Sequence, residues 1–430
     1  MRPIFAFIRV LFDNTDNYPV LCTQESGTRA GNVKMKSAKR MAGVFCALMA
    51  ALPACELLDD DWEKHVGEED EPAIALEDVA GLLSSVPIGP EQMGEVMDAA
   101  SASAGNGYDE EYRMTDLFAA PGTGVGSDAD TKAAEQYGTP LRDLLARAVR
   151  SRVATRAGDP EDAEAYLEAL SSSDVQIYWP YSEGWDGETL PVITYDPGEG
   201  ALENVGYALQ EDGTVEEVLV DEEMAQERPV WVVNRNADSQ HKTLELLRKE
   251  DPSWGQGGGD IVIRPSSTKA DAGEVKTLVL RSFKARRQFD SWFAGGAEFF
   301  VRIGSVENLR ATSEEEFRKY EPTVTDFMVV VRRKQLGEML TMNTILVSEW
   351  TPQLENCAFM ITEDDGGTRT SWKCSLIGKY NSKQYGFELE LPLNERDDIV
   401  WRGSLTHAAI EKYSGTTASF GDVDLVLELL

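Results

Sequence analysis

The sequence predicts an α+β fold in which a helical N-terminal segment leads into short strands and a C-terminal antiparallel β-sandwich follows. Two observations predict this class. From Leu76 to Leu170 the apolar residues recur every three or four positions, and from Asp174 the apolar period changes to two. With 430 residues, of which 42% are apolar, the chain is long enough for a sizeable core and favours two domains.

The helices are predicted by apolar spacing combined with start signals. Apolar residues between Leu76 and Val86 share one helix face, and Pro90 occupies the first position of a second helix. Thr139 and Pro140 start a third helix, and Asp159 starts a fourth, with acidic residues in its first turn where the helix dipole favours them. The first part of the chain is therefore expected to open with helices.

The strands are predicted by alternating apolar residues between turns that contain Gly, Asp or Asn. In the last strand, Val423, Leu425, Leu427 and Leu429 alternate with more polar neighbours, as a half-buried antiparallel strand requires. Nine strands with short turns after residue 275 predict a β-sandwich. The predicted strands are 175–179, 190–195, 215–220, 229–234, 276–284, 298–306, 326–333, 343–348, 357–363, 368–377, 385–391, 399–405 and 423–429.

The net charge of −34 argues against nucleic acid as a partner, because contacts with phosphate require a basic surface. The charge is uneven: residues 56–250 hold 45 acidic and 13 basic side chains, whereas residues 251–430 hold 27 and 21. A Gly-rich stretch coincides with this change in charge. We therefore expect an acidic α+β domain at 73–250, a linker at 251–260 and a β-sandwich domain at 261–430.

The N-terminus contains an export signal. A basic segment that begins at Met35 is followed by a 13-residue, largely apolar run, Ala42–Ala54, which has the length of a signal-peptide core rather than of a membrane span. Residues Leu52-Pro53-Ala54-Cys55 resemble the lipobox of bacterial lipoprotein precursors. The resemblance implies that 35–54 is the signal peptide and that lipidation of Cys55 holds the mature protein on a membrane. The alternative is a plain secretory signal with an incidental cysteine.

The segments on either side of the signal peptide have different roles. Residues 1–34 contribute nothing to the export signal, so we expect them to be a start-site extension and Met35 to be the true start. Residues 55–72 are strongly acidic and are expected to form a solvated tether, since like charges repel. This tether resembles the acidic segment of uncharacterised surface lipoproteins of Bacteroidota. Glu56 provides no inner-membrane retention signal, which favours the outer membrane, on its periplasmic or cell-surface side.

Cys357 and Cys374 are the cysteines that remain after removal of the signal peptide and lipidation of Cys55. A two-residue turn at Asp365-Gly366 would pair them across a hairpin at a position without backbone hydrogen bonds. Their Cα atoms would then be about 4.5 Å apart, a separation that a disulfide tolerates. The sequence therefore predicts a Cys357–Cys374 disulfide, with two buried free thiols as the alternative.

Known catalytic patterns are absent from the sequence. It contains three histidines and lacks H-E-x-x-H, G-x-S-x-G and a phosphate-binding loop. Acidic residues in turns of the near-neutral β-domain could converge on calcium, which prefers several oxygen ligands. The alternative is that these acids are ordinary turn residues. The candidate metal ligands are Asp364, Asp397, Asp398, Asp422 and Asp424.

An aromatic cluster is the candidate ligand-binding surface. Trp179, Tyr181 and Trp185 lie close to acidic residues in the sequence, so their rings could stack on sugars while carboxylates bind hydroxyl groups. The alternative is that these rings pack in the core, because aromatic side chains dominate core burial.

These observations favour a membrane-anchored protein of the cell envelope that binds a protein or glycan partner, or acts as a scaffold, without being an enzyme. The alternative is a carboxylate-dependent hydrolase that acts on envelope or extracellular polymer. A hydrolase requires a concave cleft with converging acids of displaced pKa, whereas a binding protein can present a flat aromatic or β-edge surface.

Overall fold

The computed structural model describes residues 74–119, 137–156, 159–198, 200–210, 212–236, 241–256 and 275–430. The predicted signal peptide, Cys55 and the acidic tether lie outside these residues. Residues Glu69–Leu430 form one compact unit. Among the described helices, none combines the length and apolarity needed to cross a membrane.

The first part of the chain, residues 74–256, mixes helices with short strands. Its elements are α1 (Leu76–Leu83), α2 (Pro90–Gly105), β1 (Glu111–Arg113), α3 (Met114–Leu117), α4 (Leu141–Thr155), α5 (Pro160–Ser171), β2 (Val175–Tyr178), β3 (Val192–Tyr195), β4 (Glu203–Leu209), β5 (Val215–Asp221), α6 (Glu222–Glu227), β6 (Val230–Arg235) and α7 (Leu244–Glu250).

The second part, residues 275–430, is dominated by antiparallel strands. Its elements are β7 (Lys276–Ala285), β8 (Ala297–Ser305), α8 (Glu314–Phe317), β9 (Thr323–Val331), β10 (Leu340–Trp350), β11 (Asn356–Glu363), β12 (Arg369–Tyr380), β13 (Lys383–Asn394), β14 (Asp398–Thr406), α9 (His407–Tyr413), β15 (Thr417–Phe420) and β16 (Val423–Leu429). Short 3₁₀ turns occur at Ser182–Gly184 and Arg333–Gln335.

A six-stranded sheet organises the first part, in the order β1-β2-β6-β3-β4-β5, with β3 and β6 parallel and the other pairs antiparallel. Because side chains alternate along a strand, Ile177 and Trp179 face the apolar sides of α1, α2, α4 and α5. Tyr178 and Val232 face the opposite side, where the second part of the chain covers the sheet.

Helix starts follow the local signals with one adjustment. The backbone N–H of Asp159 donates a hydrogen bond of 2.9 Å to the Asp162 carboxylate, which completes a capping box at the start of α5. The helix that was predicted to begin at Pro140 begins at Leu141. Its first N–H group donates 2.7 Å to the carboxylate of buried Glu95. A distant residue thus caps this helix where Thr139 was expected to do so.

The second part confirms the predicted antiparallel β architecture. Two four-stranded sheets, in the orders β10-β7-β16-β15 and β14-β11-β8-β9, line one apolar core together with the two-stranded ribbon β12-β13. Phe283 of β7 contacts Phe299 of β8, in the opposite four-stranded sheet, with ring centroids 5.2 Å apart. The α+β class is confirmed.

The predicted Cys357–Cys374 disulfide is wrong, because both cysteines are free thiols. β11 and β12 do not form a hairpin: β11 lies between β14 and β8, whereas β12 pairs with β13. Cys357 consequently lies opposite Leu405, and Cys374 lies opposite Leu389. Each thiol donates a weak hydrogen bond of 3.7 Å to the carbonyl of its own cross-strand neighbour.

Many contacts cross the boundary that was predicted near residue 250. Trp254, inside the predicted linker, packs edge-on against Phe327 with ring centroids 5.6 Å apart. Trp292 and Phe293, from the connection between β7 and β8, are buried against the first sheet. Burial of each of these side chains contributes on the order of 2 kcal/mol to stability. The two parts therefore share an apolar contact as well as a chain connection.

Candidate functional site

A small acidic cavity of about 180 Å³ opens where the two parts of the chain meet. One wall comes from β1, β2 and the end of β6, and the other comes from the β7–β8 and β11–β12 connections and the start of β8. Its lining contains six carboxylates. The lining residues are Asp109, Glu111, Gln176, Arg235, Asn236, Asp290, Ala294, Glu298, Asp364 and Asp365.

Two of the lining acids, Asp290 and Glu298, converge with Glu363, which lies directly before the lining residue Asp364, and we call these three residues the acidic triad. One oxygen from each lies within 4.8 Å of one oxygen from both of the others. Asp290 precedes β8, Glu298 is the second residue of β8, and Glu363 is the last residue of neighbouring β11. The backbone N–H of Asp364 donates 3.0 Å to the carbonyl of Glu298, which fixes these two segments beside each other.

Glu363 is the most unusual member of the triad. The residue is 0% exposed, and its carboxyl group has no backbone or basic hydrogen-bond donor among the described residues. Its hydrogen-bonding neighbour is the carboxyl group of Asp290. Burial and the neighbouring carboxylate of Asp290 raise the pKa of Glu363 far above its ordinary value. Burial also raises the pKa of Asp290. A group in this position requires a proton or a cation beside it.

The wall from the first part adds three consecutive buried acids, Asp109, Glu110 and Glu111. Asp109 accepts hydrogen bonds from the backbone N–H groups of Gly296, at 2.6 Å, and Glu110, at 2.9 Å. Glu111 accepts 2.8 Å from the side-chain amide of Asn236. Burial is the main cause that raises the pKa of Glu111 to about 7. The other amide atom of Asn236, its Oδ1, is buried without a partner among the described residues.

Basic side chains near the cavity are already paired. Lys334 donates 2.8 Å to Glu110, and Arg333 forms a two-pronged pair with Glu222 at 3.0 and 3.1 Å. Arg235, in the lining itself, pairs with Asp174, which directly precedes the neighbouring strand β2. Among the described residues, no basic side chain forms an ion pair with Asp290 or with Glu363.

The predicted calcium ligands divide into two groups. Asp364 lines the cavity next to Glu363, and Asp398 is the cross-strand neighbour of Glu363. Asp397 is buried, and burial together with Asp364 raises its pKa to about 6. In contrast, Asp422 pairs with Arg287 at 2.9 Å. Asp424 accepts a hydrogen bond of 2.6 Å from Ser419. Asp422 and Asp424 both belong to the β15–β16 hairpin, in the sheet that does not contain β11.

The predicted aromatic surface lies outside the cavity lining, in the segment that follows β2. Trp179 is 1% exposed and packs edge-on against Trp231 and Trp185, at 6.0 and 5.7 Å between ring centroids. Trp185 is half-buried and donates 3.0 Å to the carbonyl of Thr189. Tyr181 is half-buried and donates 3.0 Å to Glu222. Trp179 thus packs in the core and presents no ring face for stacking.

Sequence reasoning missed Asp290, Glu298, Glu363 and the run Asp109–Glu111. Two signals pointed towards them: a run of three acids at 109–111, and a second run at 363–365 directly after an apolar strand. The sequence analysis predicts Asp364 as a calcium ligand and Asp365 as a turn residue, but it treats Glu363 only as the end of a strand. Comparisons with known protein families, curated proteins and solved structures found no match.

Proposed function

We propose that this protein is a lipid-anchored, non-enzymatic binding protein of the cell envelope whose folded unit binds one divalent cation, calcium, at the acidic triad. The observation that supports cation binding is the convergence of three carboxylate oxygens within 4.8 Å of one another, one of them from the fully buried Glu363. The anchor rests on the resemblance of residues 52–55 to a lipobox.

The donor set favours a hard cation. All three side chains offer oxygen, and neither sulfur nor imidazole belongs to the triad. Ligands on opposite sides of a calcium ion are about 5 Å apart, so one ion can contact all three carboxylates. The triad supplies one converging oxygen from each carboxylate. Second carboxylate oxygens and waters would complete the roughly six to eight ligands that calcium prefers, whereas magnesium demands stricter geometry.

The size of the cavity favours the binding of a cation over the hydrolysis of a polymer. Sites for small organic ligands are typically about 300–1,000 Å³, whereas this cavity has about 180 Å³. It accommodates an ion with a few waters, and a polymer substrate would require a longer cleft. A partner of the whole protein, whether protein or glycan, would therefore bind elsewhere on the surface.

A carboxylate-dependent hydrolase is the second candidate. The observation that favours it is a concave site with converging acids of raised pKa, among them Glu111 and Asp290. Release of soluble fragments from isolated envelope polymer, abolished by Glu363→Gln, would support this candidate over the first.

Calcium titration calorimetry on the purified chain, after removal of metals with a chelator, tests the proposal. We expect one calcium ion per chain. Glu363→Gln and Asp290→Asn should weaken binding by at least about 100-fold, because loss of a direct ligand costs more than the roughly 10–100-fold typical of an outer partner. Magnesium should bind more weakly than calcium.

Asp422→Asn is the matched control, since it removes an acid of the same part of the chain that is paired with Arg287 and lies in the other sheet. This variant should bind calcium as the unchanged protein does. Absence of calcium binding in the unchanged protein, or equal losses in Asp422→Asn and Glu363→Gln, would contradict the proposal.

A further inference from the structure

We propose that the cation controls the docking of one loop, Asp290–Gly296, onto the sheet of the first part. This inference rests on the proposed function, because it assigns a regulatory role to the same cation. The loop belongs to the connection between β7 and β8, and we call it the docking loop.

The tip of the docking loop is buried in the first part. Trp292 and Phe293 pack against each other with their rings tilted by 32° and their centroids 4.0 Å apart. Both contact the sheet face that carries Tyr178, Val192 and Val232. The indole N–H of Trp292 donates 3.1 Å to the carbonyl of Leu202.

Backbone groups of the same loop are held by side chains of the first part. The side-chain amide of Asn234 donates to the carbonyls of Phe293 and Ala294, at 2.9 and 2.7 Å. The N–H of Gly296 donates 2.6 Å to Asp109. Gly295 has a φ of +131°, which favours glycine, and a Cβ at Gly296 would lie 2.8 Å from the carbonyl oxygen of Val331. The loop therefore fits its site closely.

The base of the docking loop is the acidic triad. Asp290 is the first residue of the loop, and Glu298 lies two residues after its end. Two of the three carboxylates therefore lie on the segments that enter and leave the loop. Glu363 provides the third from β11. One cation would join all three carboxylates and close the base, whereas without a cation a hydrogen bond can join only two of them.

A second connection links the base to the first part. Arg333 donates 3.1 Å to the backbone carbonyl of Asp290 while its other N–H groups bind Glu222 of α6. Displacement of Asp290 therefore disturbs both the triad and this contact. Calcium and the docked loop stabilise each other, which is the reciprocity that linked equilibria require.

Hydrogen exchange measured by mass spectrometry on the full chain, with calcium or with chelator, tests the inference. Peptides that cover residues 290–296 should exchange at least about tenfold more slowly with calcium, because local opening becomes rarer. Peptides from the β15–β16 hairpin, which lies in the other sheet, should change little. Calorimetry on the same samples reports whether calcium binds.

Two variants sharpen the result. In Glu363→Gln the loop should exchange at the same rate with and without calcium, whereas Asp422→Asn should retain the calcium effect. Absence of binding in calorimetry overturns the proposed function and this inference together. Binding with unchanged exchange at 290–296, or with equal slowing in the β15–β16 hairpin, overturns the inference alone and leaves calcium binding in place.

Discussion

Glu363 is surrounded by negative charge on several sides. Asp290 lies beside it, Asp398 faces it across the β11–β14 pair, and Asp365 follows in the same turn; all three raise its pKa in addition to the effect of burial. An acid whose pKa is raised by folding stabilises the fold at low pH and loses that contribution as the pH rises through the folded-state value. In the absence of a cation, the folded unit should therefore become less stable towards alkaline pH.

The affinity for calcium should depend on pH in the opposite direction from the stability of the metal-free unit, because the ion must displace the proton that the triad otherwise holds. We predict that calcium binding tightens as the pH rises from 5.5 to 8, by about tenfold per pH unit for each proton displaced. Arg333 is the charged group of opposite sign that acts on Asp290, and it lowers the pKa of that carboxyl group. Calorimetry in two buffers of different ionisation enthalpy measures the number of protons released.

Glu363→Gln provides the control for this pH dependence. Gln carries no charge, so the metal-free variant should be more stable than the unchanged protein at pH 8 and should gain nothing from calcium. A dissociation constant that is independent of pH in the unchanged protein would show that no proton is displaced.

Helices and most strands could be predicted because their signals are local. Pro90 and the acids after Asp159 mark helix starts, and alternation marks a strand such as Val423–Leu429, whose bounds match the structure. β4 was missed because Glu203, Asn204 and Gly206 interrupt the apolar pattern of a strand near the sheet edge. Strand pairing depends on distant residues, and the sequence contains no local signal for it.

The turn after β11 shows how a local signal misleads. Asp365-Gly366 is a good hairpin turn by composition, but Asp364 bonds to Glu298 through its backbone and to Asn394 through its side chain, at 3.0 and 2.9 Å. The chain therefore leaves β11 without folding back on it. The tight hairpin occurs instead at Asn381-Ser382, where φ values of +47° and +64° match a type I′ turn between β12 and β13.

The free thiols lead to a prediction about reactivity. Burial raises the pKa of Cys357 well above its usual range, and burial raises the pKa of Cys374 as well. Under native conditions we expect an alkylating reagent to modify half-buried Cys374 slowly and Cys357 only after unfolding, because the thiolate is the reactive form. Peptide mapping by mass spectrometry without prior reduction measures both sites. A linked Cys357–Cys374 peptide would contradict the structure.

The triad could not be predicted, because its members are distant from one another in the sequence. Its members come from the β7–β8 connection, the start of β8 and the end of β11, and only tertiary packing brings them within 4.8 Å. Among the predicted ligands, Asp364 and Asp398 lie beside this cluster because they flank β11 and β14. Asp422 and Asp424 belong to a different sheet, which composition alone does not reveal.

The uneven charge of the chain allows ion pairs between its two parts in the folded unit. Lys334 and Arg333 of the near-neutral second part pair with Glu110 and Glu222 of the acidic first part. The second part also contributes acids to the shared cavity, so the boundary in composition near residue 250 is an interface held by ion pairs, apolar packing and, as we propose, a cation. Removal of that cation should loosen the junction before it unfolds either core.

The anchor that we propose for the whole molecule depends on a single residue, Cys55, and Cys46, a few residues upstream, provides its control. We predict that Cys55→Ser abolishes incorporation of labelled palmitate in a bacterial host and moves the protein from the membrane fraction to the soluble fraction, because the thiol is the acceptor of the lipid. Cys46→Ser, which alters the apolar run upstream, should retain both. Calcium binding should be the same in the two variants, since the triad belongs to the folded unit. Membrane retention or palmitate labelling of Cys55→Ser would contradict the lipid anchor at this residue. An unchanged protein that is soluble and takes up no palmitate would favour a plain secretory signal.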